Sequence, residues 1–241
     1  MTGWLGLPVQ ASAQAAQLDR ITLLVHGLMA AMFIGWSVYF VYVLVRFRRP
    51  RQPRADYNGA RGRWSTWTEA GVAAVEVLLL AAFSIPAWAS RVRPPAADTA
   101  LTIRVTGQQF TWLVHYAGAD GDFGRVDAGL ITAENPTGLD RASMHGADDV
   151  VTINEMHLPL GRPVIVQLTA RDVIHSFGVP AMRVKQDAIP GLMTPVWFVP
   201  TLEGRFDIAC SQLCGLGHYR MRGVITVERP ELFTSWLSSQ H

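Results

Sequence analysis

The sequence predicts a two-helix transmembrane hairpin followed by an all-β domain. Three features predict it: two long apolar runs before residue 94, an arginine-rich connector between them, and a change of composition after Pro94-Pro95. Beyond that point short β-branched or alternating runs follow one another, punctuated by Gly, Pro, Asn and Asp. Many short strands with turn signals are the pattern of a β-sandwich or barrel.

The first twenty residues contain Ala11-Ser12-Ala13, which imitates an export cleavage site, but they lack a basic start and a continuous apolar core. They read as an outer-face N-terminal segment (1–20), and the first helix is expected to direct insertion. Ile21 to Val45 is apolar over about 25 residues, enough to span a bilayer, and His26 is its one charge-bearing candidate. Ala70 to Ala89 forms the second run. Glu76 is its one charged residue, and Trp64, Trp67 and Trp88 bracket it as interfacial tryptophans do. The connector (about 46–66) sets Arg46, Arg48, Arg49, Arg51, Arg54, Arg61 and Arg63 against Asp56. A short basic loop between two spans belongs in the cytoplasm. The hairpin (21–94) therefore places everything after Arg93 on the outer, periplasmic face. Such a basic loop could also suggest a nucleic-acid patch, but its place between two membrane spans makes that a poor reading.

Leu101 to Val105, Val150 to Ile153, Val164 to Thr169, Val196 to Val199, Arg205 to Ala209 and Gly223 to Val227 are the expected strands. Thr132 to Asp149 is polar and reads as a long surface excursion. Pro230 to Leu237 closes the domain as a short helix, so that the β domain covers 98–230 and the terminal helix and tail 231–241.

The stretch Cys210-Ser211-Gln212-Leu213-Cys214-Gly215-Leu216-Gly217-His218-Tyr219-Arg220-Met221 gathers both cysteines of the chain with a histidine and a methionine, and His175 stands upstream in Asp172-Val173-Ile174-His175-Ser176. Thiolate, imidazole and thioether are ligands for a soft redox metal. Two cysteines in an exported domain usually make a disulfide, but that leaves His218 and Met221 unexplained. Zinc takes Cys and His in a closed tetrahedron, yet a thioether is a poor zinc ligand. Copper accounts for the whole set. Two sulfurs can bridge two coppers, leaving each metal one histidine and one weak ligand. A copper motif between late strands makes a cupredoxin-like Greek-key barrel the expected fold.

The loop resembles Cys-Ser-Glu-x-Cys-Gly-x-x-His-x-x-Met of subunit II of haem–copper cytochrome c oxidases. Asp172 to Ser176 is similar to the family's Asp-Val-x-His-Ser. Val184-Lys185-Gln186-Asp187-Ala188-Ile189-Pro190-Gly191 is similar to its Lys-x-Asp-Ala-x-Pro-Gly segment, and Gly107-Gln108-Gln109-Phe110-Thr111-Trp112 to its aromatic Gly-His-Gln-Trp-x-Trp region. The resemblance implies a binuclear CuA centre of two copper ions. Cys210 and Cys214 would bridge, His175 and His218 would be terminal ligands, and Met221 and the Gln212 carbonyl would bind weakly. It further implies one-electron transfer from a c-type cytochrome, through the His218 side, to haems carried by subunit I, where oxygen reduction is coupled to proton translocation. The expected partners are subunit I and the other oxidase subunits, the cytochrome donor and the lipid bilayer.

Two residues depart from the family pattern. Gln212 replaces a glutamate whose carboxylate helps hold an interfacial magnesium. A neutral amide is a poorer ligand for that hard cation, which brings the magnesium site into question. Phe110 replaces the exposed tryptophan through which cytochrome c delivers its electron, while Trp112 matches the second tryptophan. Arg171 sits beside Asp172 where family members cluster acids. From Leu101 onward there are 14 Asp or Glu against 11 Lys or Arg, with Asp120, Asp122, Asp148, Asp149 and Asp172 as candidate steering acids. Lys185 and Asp187 are expected at the subunit I contact. Glu69 is a weak candidate for proton uptake and Glu76 a packing contact. His115 and His157 read as surface or packing residues, His145 as a loop residue and His241 as the terminus. No Cys-x-x-Cys-His occurs, so no fused cytochrome c is expected. A quinol oxidase subunit lacks the copper ligands, and a nitrous oxide reductase needs a larger second domain. A membrane-anchored copper-binding or copper-delivery protein is the alternative reading.

Overall fold

The computed structural model describes residues 6–240 apart from 52, 55–56, 58–61 and 97. Asp56 and Arg61 of the connector, and His241, lie outside the described residues. Residues 17–90 form one compact unit, and residues 1–16 with 91–241 form another.

The first unit is helical. Helix α1 (Ala15–Arg46) is 32 residues long, about 48 Å at 1.5 Å per residue. It exposes Phe33, Trp36, Tyr39 and Phe40 on a surface apolar on every side. A helix of that kind is suited to lipid rather than water. Helix α2 (Arg63–Leu79) continues through a π-helical turn (Leu80–Ser84) into α3 (Ile85–Val92). Pro86 explains the turn: it has no N–H to give and its ring crowds the preceding carbonyls, so the ladder widens just before it. Both helical runs, Ala15–Arg46 and Arg63–Val92, are long and apolar enough to cross a membrane, and neither is buried as a core helix would be.

The second unit is built from two five-stranded sheets. One has the order β3-β2-β1-β5-β8, from β1 (Leu101–Gln108), β2 (Thr111–Tyr116), β3 (Val150–Ile153), β5 (Val164–Ala170) and β8 (Thr194–Phe198). The other has the order β4-β10-β9-β6-β7, from β4 (Glu155–Pro159), β6 (His175–Val179), β7 (Val184–Ala188), β9 (Gly204–Cys210) and β10 (Arg222–Glu228). The chain crosses repeatedly between sheets, leaving β1 parallel to β5 and β4 parallel to β10. This is the cupredoxin-like plan expected from the sequence.

The core follows from alternation. Ile103, Val105 and Gly107 point inward from β1 and meet Phe177, Ile208, Ile225 and Trp112 between the layers. Phe177 is fully buried, and truncating such a ring costs about 3–5 kcal/mol. Strand β2 breaks the alternation, because its second face is covered too: Leu113 and His115 are as hidden as Trp112 and Val114. Four strands, β2, β4, β6 and β7, were not expected. β7 is polar in sequence, and β6 begins with a site histidine and carries Gly178, so neither shows strand periodicity.

Two boundaries also differ from the sequence reading. The segment before α1 joins the β unit: Ala11 N–H bonds Ala181 O, Ala13 N–H bonds Val199 O, and Thr201 N–H returns to Ala11 O. The polar excursion ends in a buried acid, not on the surface. Asp149 is 1% exposed and accepts from Gly118 N–H, Gly124 N–H and His115 Nε2, the last at 2.5 Å. It therefore drops out of the steering acids. At the end of the chain, α4 (Pro230–Ser238) starts with proline at its first turn. It lays Trp236 flat on His157, with ring centroids 4.0 Å apart.

Candidate metal centre

Three segments converge at one end of the β unit. Strand β6 opens with His175, β9 closes with Cys210, and residues 211–221 lead back into β10. Ser211 N–H bonds Ser176 O and Cys210 N–H bonds Met221 O, closing the loop at its base. A single 3-10 turn (His218–Arg220) folds the far side, so that Met221 N–H reaches His218 O. Gly215 has φ +126°, a left-handed conformation that favours glycine, and a Cβ there would meet Gln109 Nε2 at 2.8 Å. That amide donates to Cys214 O at 2.6 Å, tying the loop to the β1–β2 turn.

The side chains so positioned form a chain of soft donors. His175 Nδ1 is 4.0 Å from Cys210 Sγ, and Cys210 Sγ is 3.8 Å from Cys214 Sγ. Cys214 Sγ is in turn 3.6 Å from His218 Nδ1 and 3.8 Å from Met221 Sδ. The Gln212 carbonyl lies 3.2 Å from Cys210 Sγ, while the Gln212 side chain is exposed. Both cysteines are free. Two thiolates bound to one tetrahedral metal at about 2.3 Å stand roughly 3.8 Å apart, and a thiolate and an imidazole about 3.5 Å. The donors thus stand at the spacing of metal ligands. Ligand atoms of His175, Cys210 and Cys214 all fall within 4.8 Å of one another. All six positions singled out in the sequence meet here.

Asp172 sets the orientation of His175. Its Oδ1 lies 2.8 Å from His175 Nε2, and its carboxylate also accepts from Gln109 N–H and Val173 N–H. Partial burial works against the charge, but these three partners outweigh it and hold the carboxyl below its ordinary range. An ionised carboxylate only accepts, so Nε2 carries the proton and Nδ1 turns its lone pair to the thiols. His175 is fully buried and is gripped by Trp112, whose ring stands edge-on at 6.1 Å between centroids. Burial pushes the Cys214 thiol up to about 11, with the neighbouring Cys210 adding to the shift. Without metal, Cys214 is protonated at neutral pH, and metal binding must release that proton.

Trp112 is buried completely and cannot be a surface contact for a donor; its Nε1–H has no acceptor among the described residues. Phe110 is the aromatic near the surface, half-buried beside Gly215 and Gly217. Lys185 pairs with Asp187 at 3.2 Å, and Asp187 lies opposite Ser176 in the β6–β7 ladder. Glu69 accepts from Ser65 Oγ within its own helix, and Glu76 is exposed on the same helix. His145 pairs with Asp120, and His157 with Glu228 and Glu155. The sequence reading missed the orienting role of Asp172 and the brace from Gln109. The sequence offered Asp172 as a steering acid, whereas its carboxylate is engaged by His175, Gln109 and Val173.

A family model described as cytochrome c oxidase subunit II, periplasmic domain, matches residues 101–228. The chain belongs to the cytochrome c oxidase subunit II family. The alternative cytochrome c oxidase subunit 2 of Bradyrhizobium diazoefficiens is 37% identical over 210 residues, covering 87% of this chain and 75% of the relative. Cytochrome c oxidase subunit 2 of Cereibacter sphaeroides is 30% identical over 248 residues, covering 98% and 80%. A crystal structure of the periplasmic domain of subunit II of cytochrome oxidase from Bradyrhizobium japonicum has 34% sequence identity and a TM-score of 0.45, covering 61% of this chain and 96% of that one. As a member of this family the chain is a subunit of an oxidoreductase complex and works in electron transport. The cluster of His175, Cys210 and Cys214 is its copper-binding site.

Proposed function

We propose that this subunit II holds a binuclear CuA centre, takes single electrons from a c-type cytochrome on the outer face of the membrane, and delivers them to a haem in subunit I. The observation that carries the reading is the 3.8 Å separation of two free thiols, flanked by one imidazole each and by one thioether. Cys210 and Cys214 would bridge the two ions. His175 and His218 would cap them at opposite ends, with Met221 and the Gln212 carbonyl as weak ligands. Bound copper would supply a one-electron couple there.

The chain's own residues supply rigidity. Asp172 and Trp112 fix the His175 ring from two sides, and Gln109 pins the Cys214 carbonyl. Little needs to move when charge arrives. Gln212 offers no carboxylate for an interfacial magnesium, so that ion is not part of the proposal. The arginine-rich connector supports a cytoplasmic loop and, with it, a β unit on the periplasmic side. Lys185 and Asp187 are proposed for the contact with subunit I.

Electron paramagnetic resonance of the full chain, purified in detergent and loaded with copper, tests this. The expected spectrum has hyperfine structure from one electron shared equally by two copper nuclei. The pattern of a single nucleus would mean that the thiolate bridge does not form. A silent, labile copper(I) or zinc site would favour copper delivery instead.

A further inference from the structure

The loop that gathers the donors also leaves an uncovered apolar rim. Leu216 is 98% exposed and Tyr219 86% exposed. Phe110 packs against the same loop, close enough to Gly217 that a Cβ there would stand 2.4 Å from its ring. The guanidinium carbon of Arg220 sits 5.9 Å from the Phe110 ring centroid. This contact is a cation over an aromatic face.

The charge of this rim opposes that of the domain. The β unit carries more acids than bases, yet residues 105–115 and 208–221, which bring Phe110 and the loop together, contain no Asp or Glu. Asp172 is the nearby exception, and its oxygens are occupied by Gln109 N–H, Val173 N–H and His175. Asp207, just before the loop, is paired with Arg222 at 2.8 Å. Arg171 reaches Gln108 Oε1 and Pro136 O, both uncharged acceptors. Arg171 and Arg220 therefore stand against one engaged carboxylate.

We propose that this rim docks an electron donor whose redox-centre edge is ringed by uncharged and acidic side chains, and that Arg220 is the residue that selects it. The proposal rests on the electron-uptake reading above and deepens it. A donor must approach the thiolate loop closely, because electron transfer weakens steeply with distance. Leu216 and Tyr219 give it an apolar contact, while Arg220 steers an acidic rim and repels a lysine-ringed one. One electron leaves the reduced donor and is taken up at the site, with no bond made and no proton exchanged.

Binding tests this without any copper. The full chain, copper-free in nanodiscs of zwitterionic lipid, is titrated with two c-type cytochromes of opposite net charge over a range of ionic strength. The acidic cytochrome is expected to bind more tightly and to weaken as salt rises. Arg220→Glu is expected to weaken it about tenfold and to strengthen the basic one. Leu216→Gln, at an exposed position that folding does not need, is expected to weaken binding without changing the salt dependence. Preference for the basic cytochrome, or an Arg220→Glu variant that leaves both affinities unchanged, overturns the proposal. So does loss of binding in the assembled oxidase, which would mean that subunit I covers the rim. Because the readout is association, its failure is separate from failure of the binuclear centre, which the resonance spectrum reports.

Discussion

Asp172 Oδ1 stands 2.8 Å from His175 Nε2, and through that contact the imidazole presents its bare Nδ1 to Cys210. A partner that fixes a ligand's tautomer and ring angle contributes to metal affinity as well as to fold. Asp172→Ala is expected to lower copper affinity about 10–100-fold, measured by competition with a chelator of known strength. Asp172→Asn keeps an acceptor oxygen and should lose less. Equal affinity in all three proteins would make the bond incidental.

Gly107 is fixed by the same histidine. A Cβ at this position would lie 2.9 Å from His175 Cδ2 and 3.1 Å from Cγ. The ring cannot retreat freely, since Trp112 stands on it. Gly107→Ala should therefore destabilise the β unit by about 1–3 kcal/mol, the usual cost of overpacking, and weaken copper retention too. Chemical denaturation with and without copper separates the two effects.

Alkaline pH should destabilise the copper-free protein through Cys214. Burial raises this thiol from 9.0 to about 11 in the folded chain, so between those values the folded state holds a proton that the unfolded state has lost. Stability falls as pH rises through that window. Burial also raises the Tyr116 phenol, which acts in the same direction at higher pH. Urea unfolding should show a shallower alkaline loss in Cys214→Ser, with the Tyr116 part remaining.

On the acid side the sensitive group is His115. Burial depresses its basicity, and Arg104 and Arg141 add to this, while Asp149 opposes both and is outweighed. Below about pH 6.5 the unfolded chain binds the proton more readily than the folded one, so stability falls as pH drops. His115→Gln should remove that part of the pH dependence, seen by comparing unfolding midpoints at about pH 7.5 and pH 5. An unchanged acid slope would place the proton elsewhere.

The succession of two apolar spans and a β domain, and the soft donor types gathered in one loop, were legible in the chain itself. Apolar length and an arginine cluster depend on composition, which one reading of the sequence supplies. The copper loop is local too: five of the six donor positions lie within residues 210–221. What escaped the sequence was whatever depended on distant chain neighbours. β7 is a strand because it pairs with β6, not because its own residues alternate. The segment at residues 11–13 belongs to the β unit because carbonyls at 181 and 199 accept its N–H groups.

The same division holds at the site. The sequence by itself determined which atoms could bind a soft metal. Only the tertiary structure decided how far apart they stand, which nitrogen of His175 faces the thiols, that Trp112 is buried while Phe110 nears the surface, and that Asp149 is an interior partner of His115. The reason is physical: ligand chemistry belongs to the residue, but distance, tautomer and burial arise only when β1, β6 and β9 bring separate segments into one place.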